Sequence, residues 1–220
     1  MHADPFTDRT QAGRALARLL EGFAGRRDLV VLALPRGGVP VGFEVAAALR
    51  APLDVLVVRK LGVPDHPEYA MGAIGPGGAR VLNDDVVRTL AITDDEIARV
   101  TRDESHELAR REALYREGRA APDVAGRTVL LVDDGLATGA TMGVAVKALR
   151  ALRPARIVVA VPVGAGESCD ALRALADQVV CALAPEPFFA VGDWYLDFEQ
   201  TSDDEVRALL ARAEAARRGQ

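Results

Sequence analysis

Short, unbroken apolar runs alternate along this chain with segments whose apolar positions recur every three or four residues. Five runs are rich in valine: LVVLAL (29–34), LDVLVV (53–58), TVLLVD (128–133), RIVVAV (156–161) and QVVCAL (178–183). Runs of this length without polar alternation suit strands covered on both faces, and hence a parallel sheet. Helical patterns lie between most of them. Asp8 and Gln11 form a capping pair ahead of Ala12, Leu16, Leu19 and Phe23, and Pro40 stands near the start of a helix carrying Val41, Val45 and Leu49. Residues 140–152 and 167–176 supply two more crossovers. This rhythm predicts an open α/β fold: a mainly parallel, five-stranded sheet with helices on both faces.

Two segments break the rhythm. Residues 60–83, KLGVPDHPEYAMGAIGPGGARVLN, are rich in Gly and Pro and hold two short strand-like pieces, so a long loop or hairpin replaces a crossover there. Residues 93–118 read as one highly charged helix with Thr93 and Glu96 as its capping box. Its apolar stripe is thin, which predicts that most of the helix faces solvent or a partner chain. Ser202 and Glu205 open a last helix through Val206, Leu209 and Leu210. With no internal repeat and no linker, residues 1–220 read as a single domain.

Composition narrows the function class. The 220 residues are 50% hydrophobic and 27% charged, with net charge -5, enough for a full core and unlike a disordered chain. No apolar run reaches the ~18 residues that span a bilayer, and the polar first residues MHADPFTDRTQ do not resemble a signal peptide, so the expectation is a cytoplasmic protein with no membrane contact. The acidic balance argues against a nucleic-acid partner. Cys169 and Cys181 lie among small apolar residues without a CxxC pattern, which predicts buried thiols and no structural metal site.

The chemistry concentrates at VLLVDDGLATGAT (129–141). Ligands of open α/β sheets bind beyond the carboxyl ends of the strands, where Asp133 and Asp134 fall. The turn after them leads into a helix whose first N–H groups and dipole favour a phosphate, and its small residues allow close approach. Two acids repel that phosphate. They serve a neighbour that donates hydrogen bonds or carries a cation, such as sugar hydroxyls or Mg2+. A phosphate beside two hydroxyls describes a ribose 5-phosphate.

This stretch resembles the ribose-phosphate signature of type I phosphoribosyltransferases. The resemblance extends in the family's order through LPRGGVPVG (34–42), VVRKLGVPDHPEYAMGA (57–73) and PEPFFAVGDWYLDF (185–198), covering most of the chain. It is similar to the bacterial branch whose acceptor is unassigned. The resemblance implies that Asp133 and Asp134 bind the ribose hydroxyls of phosphoribosyl pyrophosphate (PRPP) and that Ala137, Thr138, Gly139, Ala140 and Thr141 cradle its 5′-phosphate. It implies a pyrophosphate loop at Arg36, Gly37 and Gly38, a loop that family members often hold with a cis non-proline peptide. Arg36 and Lys60 are the expected catalytic residues, Lys60 belonging to a mobile flap over 60–83. A hood over 185–200 would hold the acceptor base, with Trp194 and Tyr195 as the candidate stacking residues. No protein metal site is implied: Mg2+ would be held mainly by PRPP, with Asp133 and Asp134 nearby. A homodimer is expected. Ala137 departs from members acting on 6-oxopurines, which often carry Asp there.

These features point to an Mg-dependent enzyme that moves the ribose 5-phosphate of PRPP to a nitrogenous base and releases pyrophosphate. The alternative is a non-catalytic regulator that binds PRPP or a nucleotide in the same pocket. No GxxxxGK[ST] sequence is present, and GAGESC (164–169) lacks the third glycine of a dinucleotide fingerprint, although the 164–168 turn also begins a helix beyond a strand end.

Overall fold

The computed structural model describes residues 4–218, apart from the side chains of 67 and 68. In chain order the elements are α1 (Arg9–Leu19), β1 (Leu29–Ala33), α2 (Gly38–Leu49), β2 (Leu53–Val55), β3 (Arg59–Val63), β4 (His66–Ile74), β5 (Arg80–Leu82), α3 (Asp84–Thr89), α4 (Asp94–Arg116), β6 (Thr128–Val132), α5 (Ala140–Ala151), β7 (Arg156–Val163), α6 (Gly166–Leu172), β8 (Gln178–Leu183) and α7 (Asp203–Arg218). Five strands form one sheet in the order β2-β1-β6-β7-β8, all neighbours parallel. All five are the valine-rich runs. No helix among the described residues is long and apolar enough to cross a membrane.

Alternate residues of each central strand serve opposite faces. Val30, Leu32, Val129, Leu131, Ile157 and Val159 pack against Met142, Val146 and Leu149 of α5 and Cys169 and Leu172 of α6. Leu29, Val31, Leu130, Val132, Val158 and Ala160 pack against Leu16 of α1 and Val41, Val45 and Leu49 of α2. The sheet is therefore buried on both faces, which is why its strands carry no polar alternation.

The interrupting segment is more ordered than a hairpin. β3, β4 and β5 form a separate three-stranded antiparallel sheet. Leu61, Val63, Met71 and Ile74 from it are buried in one cluster with Ile97, Leu108 and Tyr115 of α4 and Val206 and Leu210 of α7. As its thin stripe predicted, α4 turns most of its surface outward, and the few buried residues of the stripe cover the small sheet. The Thr93–Glu96 capping box is present. The short helix α3, capped by Asn83, was not expected; two adjacent acids and two valines give little periodicity over six residues.

One buried ion pair fixes α4 to the main sheet. Arg116, 8% exposed at its side chain, bonds Asp54 of β2 at 3.2 Å, Glu112 at 2.6 Å and the Val55 carbonyl at 3.1 Å. Burial raises the Asp54 carboxyl above the ordinary aspartate range even against the Arg116 charge. Arg116→Ala leaves that carboxyl enclosed without its counter-charge. Such losses cost about 3–5 kcal/mol. Urea unfolding should show a drop of that size, and a loss under about 1 kcal/mol would mean that water replaces the guanidinium freely.

Candidate functional site

β1 and β6 are neighbours, and each ends in a loop at the same edge of the sheet. After β1 come Arg36, Gly37 and Gly38; the peptide between Pro35 and Arg36 is cis, as the resemblance implied. After β6 come Asp133 and Asp134. The two loops are in direct contact, and only glycine permits it. A Cβ at residue 37 would lie 2.0 Å from Asp134 Oδ2, and one at residue 38 would lie 2.8 Å from the Val132 carbonyl oxygen and 2.9 Å from Asp133 Cα. Gly135 plays the same part toward the C-terminal segment, where a Cβ would lie 2.3 Å from Val191 Cγ1.

The acid pair is enclosed. Burial, then the neighbouring Asp134 charge, push the Asp133 carboxyl well above the usual aspartate range. Burial also raises Asp134, although Arg9 opposes the shift. One of the two carboxyl groups has a counter-charge: Arg9 Nε donates to Asp134 Oδ2 at 2.8 Å, with side chains 12% and 15% exposed. Asp133 Oδ1 accepts from the Asp134 N–H at 2.9 Å.

Ala137, Thr138, Ala140 and Thr141 lie at the surface, and Gly139 turns the chain into α5 with φ +71°. That left-handed turn suits glycine and aims the first N–H groups of α5 outward. The loop is fixed from two sides. Leu136 bridges Gly164 at the end of β7. Ser168 Oγ donates to the Ala137 carbonyl at 2.5 Å, so the 164–168 turn supports the loop from behind.

The Arg36 guanidinium lies 3.9 Å from Asp203 of α7. Asp203 also accepts from Tyr115 Oη at 2.7 Å, and burial followed by that bond pushes the Tyr115 hydroxyl up to about 12. An anion arriving at Arg36 thus competes with Asp203. Lys60 lies on β3 opposite Ala73, on the solvent-exposed part of the small sheet.

Trp194 and Tyr195 do not share the role expected of them. Tyr195 is 6% exposed; its ring packs on Phe6 and Phe198, and its Oη donates to the Asp134 carbonyl at 2.5 Å. Burial pushes its hydroxyl above the ordinary range, so it stays a neutral donor. Tyr195 is a strut under the acid turn, with no face left for a base. Trp194 is half-buried beside the same cluster. Phe189 is 82% exposed on the same segment. Sequence reading also missed Arg9 and Asp203. Nothing local marks either one, since both look like ordinary first-turn helix residues.

Among the described residues, no group of three or more His, Cys, Asp or Glu could hold a metal ion. The two carboxylates fit an ion that brings most of its ligands with the substrate, as Mg2+ does with phosphates.

Known proteins resemble this chain in sequence and fold. A family model described as phosphoribosyl transferase domain matches residues 7–199. Rv0571c of Mycobacterium tuberculosis (strain ATCC 25618 / H37Rv), provisionally named a phosphoribosyl transferase, is 52% identical over 208 residues, covering 94% of this chain and 47% of that protein. MT0597 of Mycobacterium tuberculosis (strain CDC 1551 / Oshkosh), named the same way, matches to the same extent. The chain therefore spans about half the length of these curated relatives. The crystal structure of TT1426 from Thermus thermophilus is 43% identical with a TM-score of 0.85, covering 94% of this chain and 98% of that one.

The electrostatics of the pair predict a stability test. Asp133 has a raised folded-state pKa, so its cost is absent below the ordinary aspartate range, where it is protonated folded or unfolded. The cost grows as pH rises through the ordinary aspartate value and is complete above the folded one. Asp133→Asn should therefore melt higher than the parent at pH 7, by ~2–4 °C per kcal/mol relieved, with the gain vanishing near pH 4. Asp134→Asn, which also loses the Arg9 pair, should gain less. A lower melting temperature for Asp133→Asn at pH 7 would contradict this.

Proposed function

The chain belongs to the phosphoribosyl transferase domain family, and from that premise we propose that it transfers the ribose 5-phosphate of PRPP to a nitrogenous base with release of pyrophosphate. The observation that carries the reading is the direct contact between the Arg36–Gly38 loop and the Asp133–Asp134 pair at the ends of adjacent strands. In this reading the first loop would take pyrophosphate, the acid pair the ribose hydroxyls, and the 137–141 turn the 5′-phosphate.

In this reading Asp133 and Asp134 accept hydrogen bonds from the 2′- and 3′-hydroxyls. The first N–H groups of α5 and the Thr138 and Thr141 hydroxyls hold the 5′-phosphate. Arg36, freed from Asp203, and Lys60 neutralise the leaving pyrophosphate. Asp133 and Asp134 would stand nearest an Mg2+ ion held mainly by PRPP, which would supply neutralisation of phosphate charge. A nitrogen of the acceptor attacks the anomeric carbon as the bond to pyrophosphate breaks, through an oxocarbenium-like state. The protein supplies positioning and preorganised charge and no covalent nucleophile. The segment after β8 forms the acceptor side. Of its aromatics, Trp194 keeps a partly open ring and Tyr195 does not. The small β3–β5 sheet carries Lys60 over the reacting centre and excludes water. A homodimer and a place in nucleotide salvage belong to the same proposal.

The test is incubation with Mg·PRPP and a panel of bases. Base-dependent pyrophosphate release with a new nucleotide mass is the expected result. Tight PRPP binding without release under every base would favour the regulatory reading instead.

Arg36 and Lys60 give a sharper prediction. Hydrogen bonds to charged groups contribute about 1.5–3 kcal/mol. Arg36→Ala and Lys60→Ala should thus weaken pyrophosphate binding roughly 10- to 100-fold while changing nucleoside 5′-monophosphate binding much less. Calorimetry decides; equal losses for both ligands would make the two residues structural.

A further inference from the structure

The acid pair and the segment after β8 are joined through α1, an element that the reaction described above does not use. Backbone bonds pair the N-terminal residues with that segment: Phe6 N–H donates to the Trp194 carbonyl at 2.9 Å, Leu196 N–H to the Phe6 carbonyl at 2.8 Å, and Asp197 N–H to the Thr7 carbonyl at 2.9 Å. Asp8 then caps α1 by accepting from the Gln11 N–H at 2.7 Å, which fixes Arg9 in the first turn.

Arg9 makes three kinds of contact at once. Its Nε donates to Asp134 Oδ2 at 2.8 Å, one terminal nitrogen donates to the Glu199 carbonyl at 2.7 Å, and the guanidinium carbon lies 4.0 Å from the centre of the Phe198 ring. Phe198 in turn stacks on Tyr195 at 5.0 Å, and Tyr195 Oη holds the Asp134 carbonyl. Asp134 is thus gripped at its side chain by α1 and at its backbone by the C-terminal segment. The planar fork of arginine presents separate nitrogens to the carboxylate and the carbonyl; lysine, with its three donors on one compact nitrogen, lacks that spacing and the flat face that lies on Phe198.

We propose that Arg9 is a positioning residue that couples occupancy of the ribose acids to the placement of the acceptor hood. When ribose hydroxyls engage Asp134, the bond from Arg9 to that carboxylate weakens. The same guanidinium then shifts on Phe198 and the Glu199 carbonyl, and the hood moves with it. Acceptor and PRPP consequently bind interdependently, with a coupling in the usual range of ~5- to 150-fold. The inference rests on the ribose-phosphate reading of Asp133 and Asp134.

Trp194, the only tryptophan in the chain, reports on the hood. Its fluorescence is followed while the protein is titrated with Mg·PRPP, ribose 5-phosphate and inorganic phosphate, with binding measured in parallel by calorimetry. Hydrogen exchange of residues 188–198 is compared with and without PRPP. In the parent, PRPP and ribose 5-phosphate should both change Trp194 emission and hood exchange, and phosphate, which has no hydroxyls for Asp134, should not. In Arg9→Gln, PRPP should still bind, within about ten-fold of the parent, with both hood signals lost. Arg9→Lys should keep the charge opposite Asp134 and still lose the signals, and it carries the test alone if Arg9→Gln does not fold. Unchanged hood signals in both variants would overturn the proposal. A parent that binds PRPP with no hood signal would overturn the coupling and leave the ribose reading standing. A parent that binds neither PRPP nor ribose 5-phosphate would overturn both.

Discussion

Two carboxyl groups set side by side at the mouth of a buried strand are the constraint around which the rest of this end of the molecule is arranged. Asp133 and Asp134 are both shifted toward the neutral form by enclosure, and Asp133 further by its neighbour. A fold gains nothing from such a pair on its own account. Its surroundings hold it in place: glycines at 37 and 38 remove side chains that would collide with it, glycine at 135 lets its turn pack on Val191, Arg9 supplies one counter-charge, and the Tyr195 hydroxyl fixes the Asp134 carbonyl. The arrangement makes sense once a ligand brings hydroxyl donors or a cation to the carboxylates. A destabilised site of this kind is where function and stability conflict.

The sheet decides where the acid pair sits. The chain runs from β1 outward to β2, then returns to the other side of β1 to lay down β6. The crevice at the carboxyl ends of β1 and β6 is therefore the point where the strand order reverses, and both loops that border it are short and glycine-rich. α5 starts from the turn after β6, and α7 carries Asp203 to 3.9 Å from Arg36. The small β3–β5 sheet, seated on α4 and α7, flanks the same opening.

The main sheet was legible in the sequence because burial on both faces leaves an unmistakable mark: valine-rich runs without alternation. Helix starts were legible from local side-chain bonds, at Asp8 with Gln11, Thr93 with Glu96, and Ser202 with Glu205, each present in the structure. The acid turn stood out because two acids after an apolar strand violate ordinary patterning. The contacts that cross the chain were not legible. Arg9 meets Asp134 across 125 positions, and no local feature separates it from the arginines that face water. The aromatic segment after β8 could be read either as core or as a stacking surface. Packing divides it: Tyr195 goes to the core and supports the acids, while Phe189 stays exposed. The third strand of the small sheet escaped notice because three residues, RVL, carry too little pattern to register.

The central claim, a ribose-phosphate site in the β1–β6 crevice, is tested most directly by a crystal structure of the protein with Mg·PRPP bound. The ribose hydroxyls should lie on Asp133 and Asp134, the 5′-phosphate against the N–H groups of residues 137–141, and the pyrophosphate on the Arg36–Gly38 loop. PRPP bound away from the β1–β6 crevice, or with its two phosphate ends reversed between these loops, would contradict it.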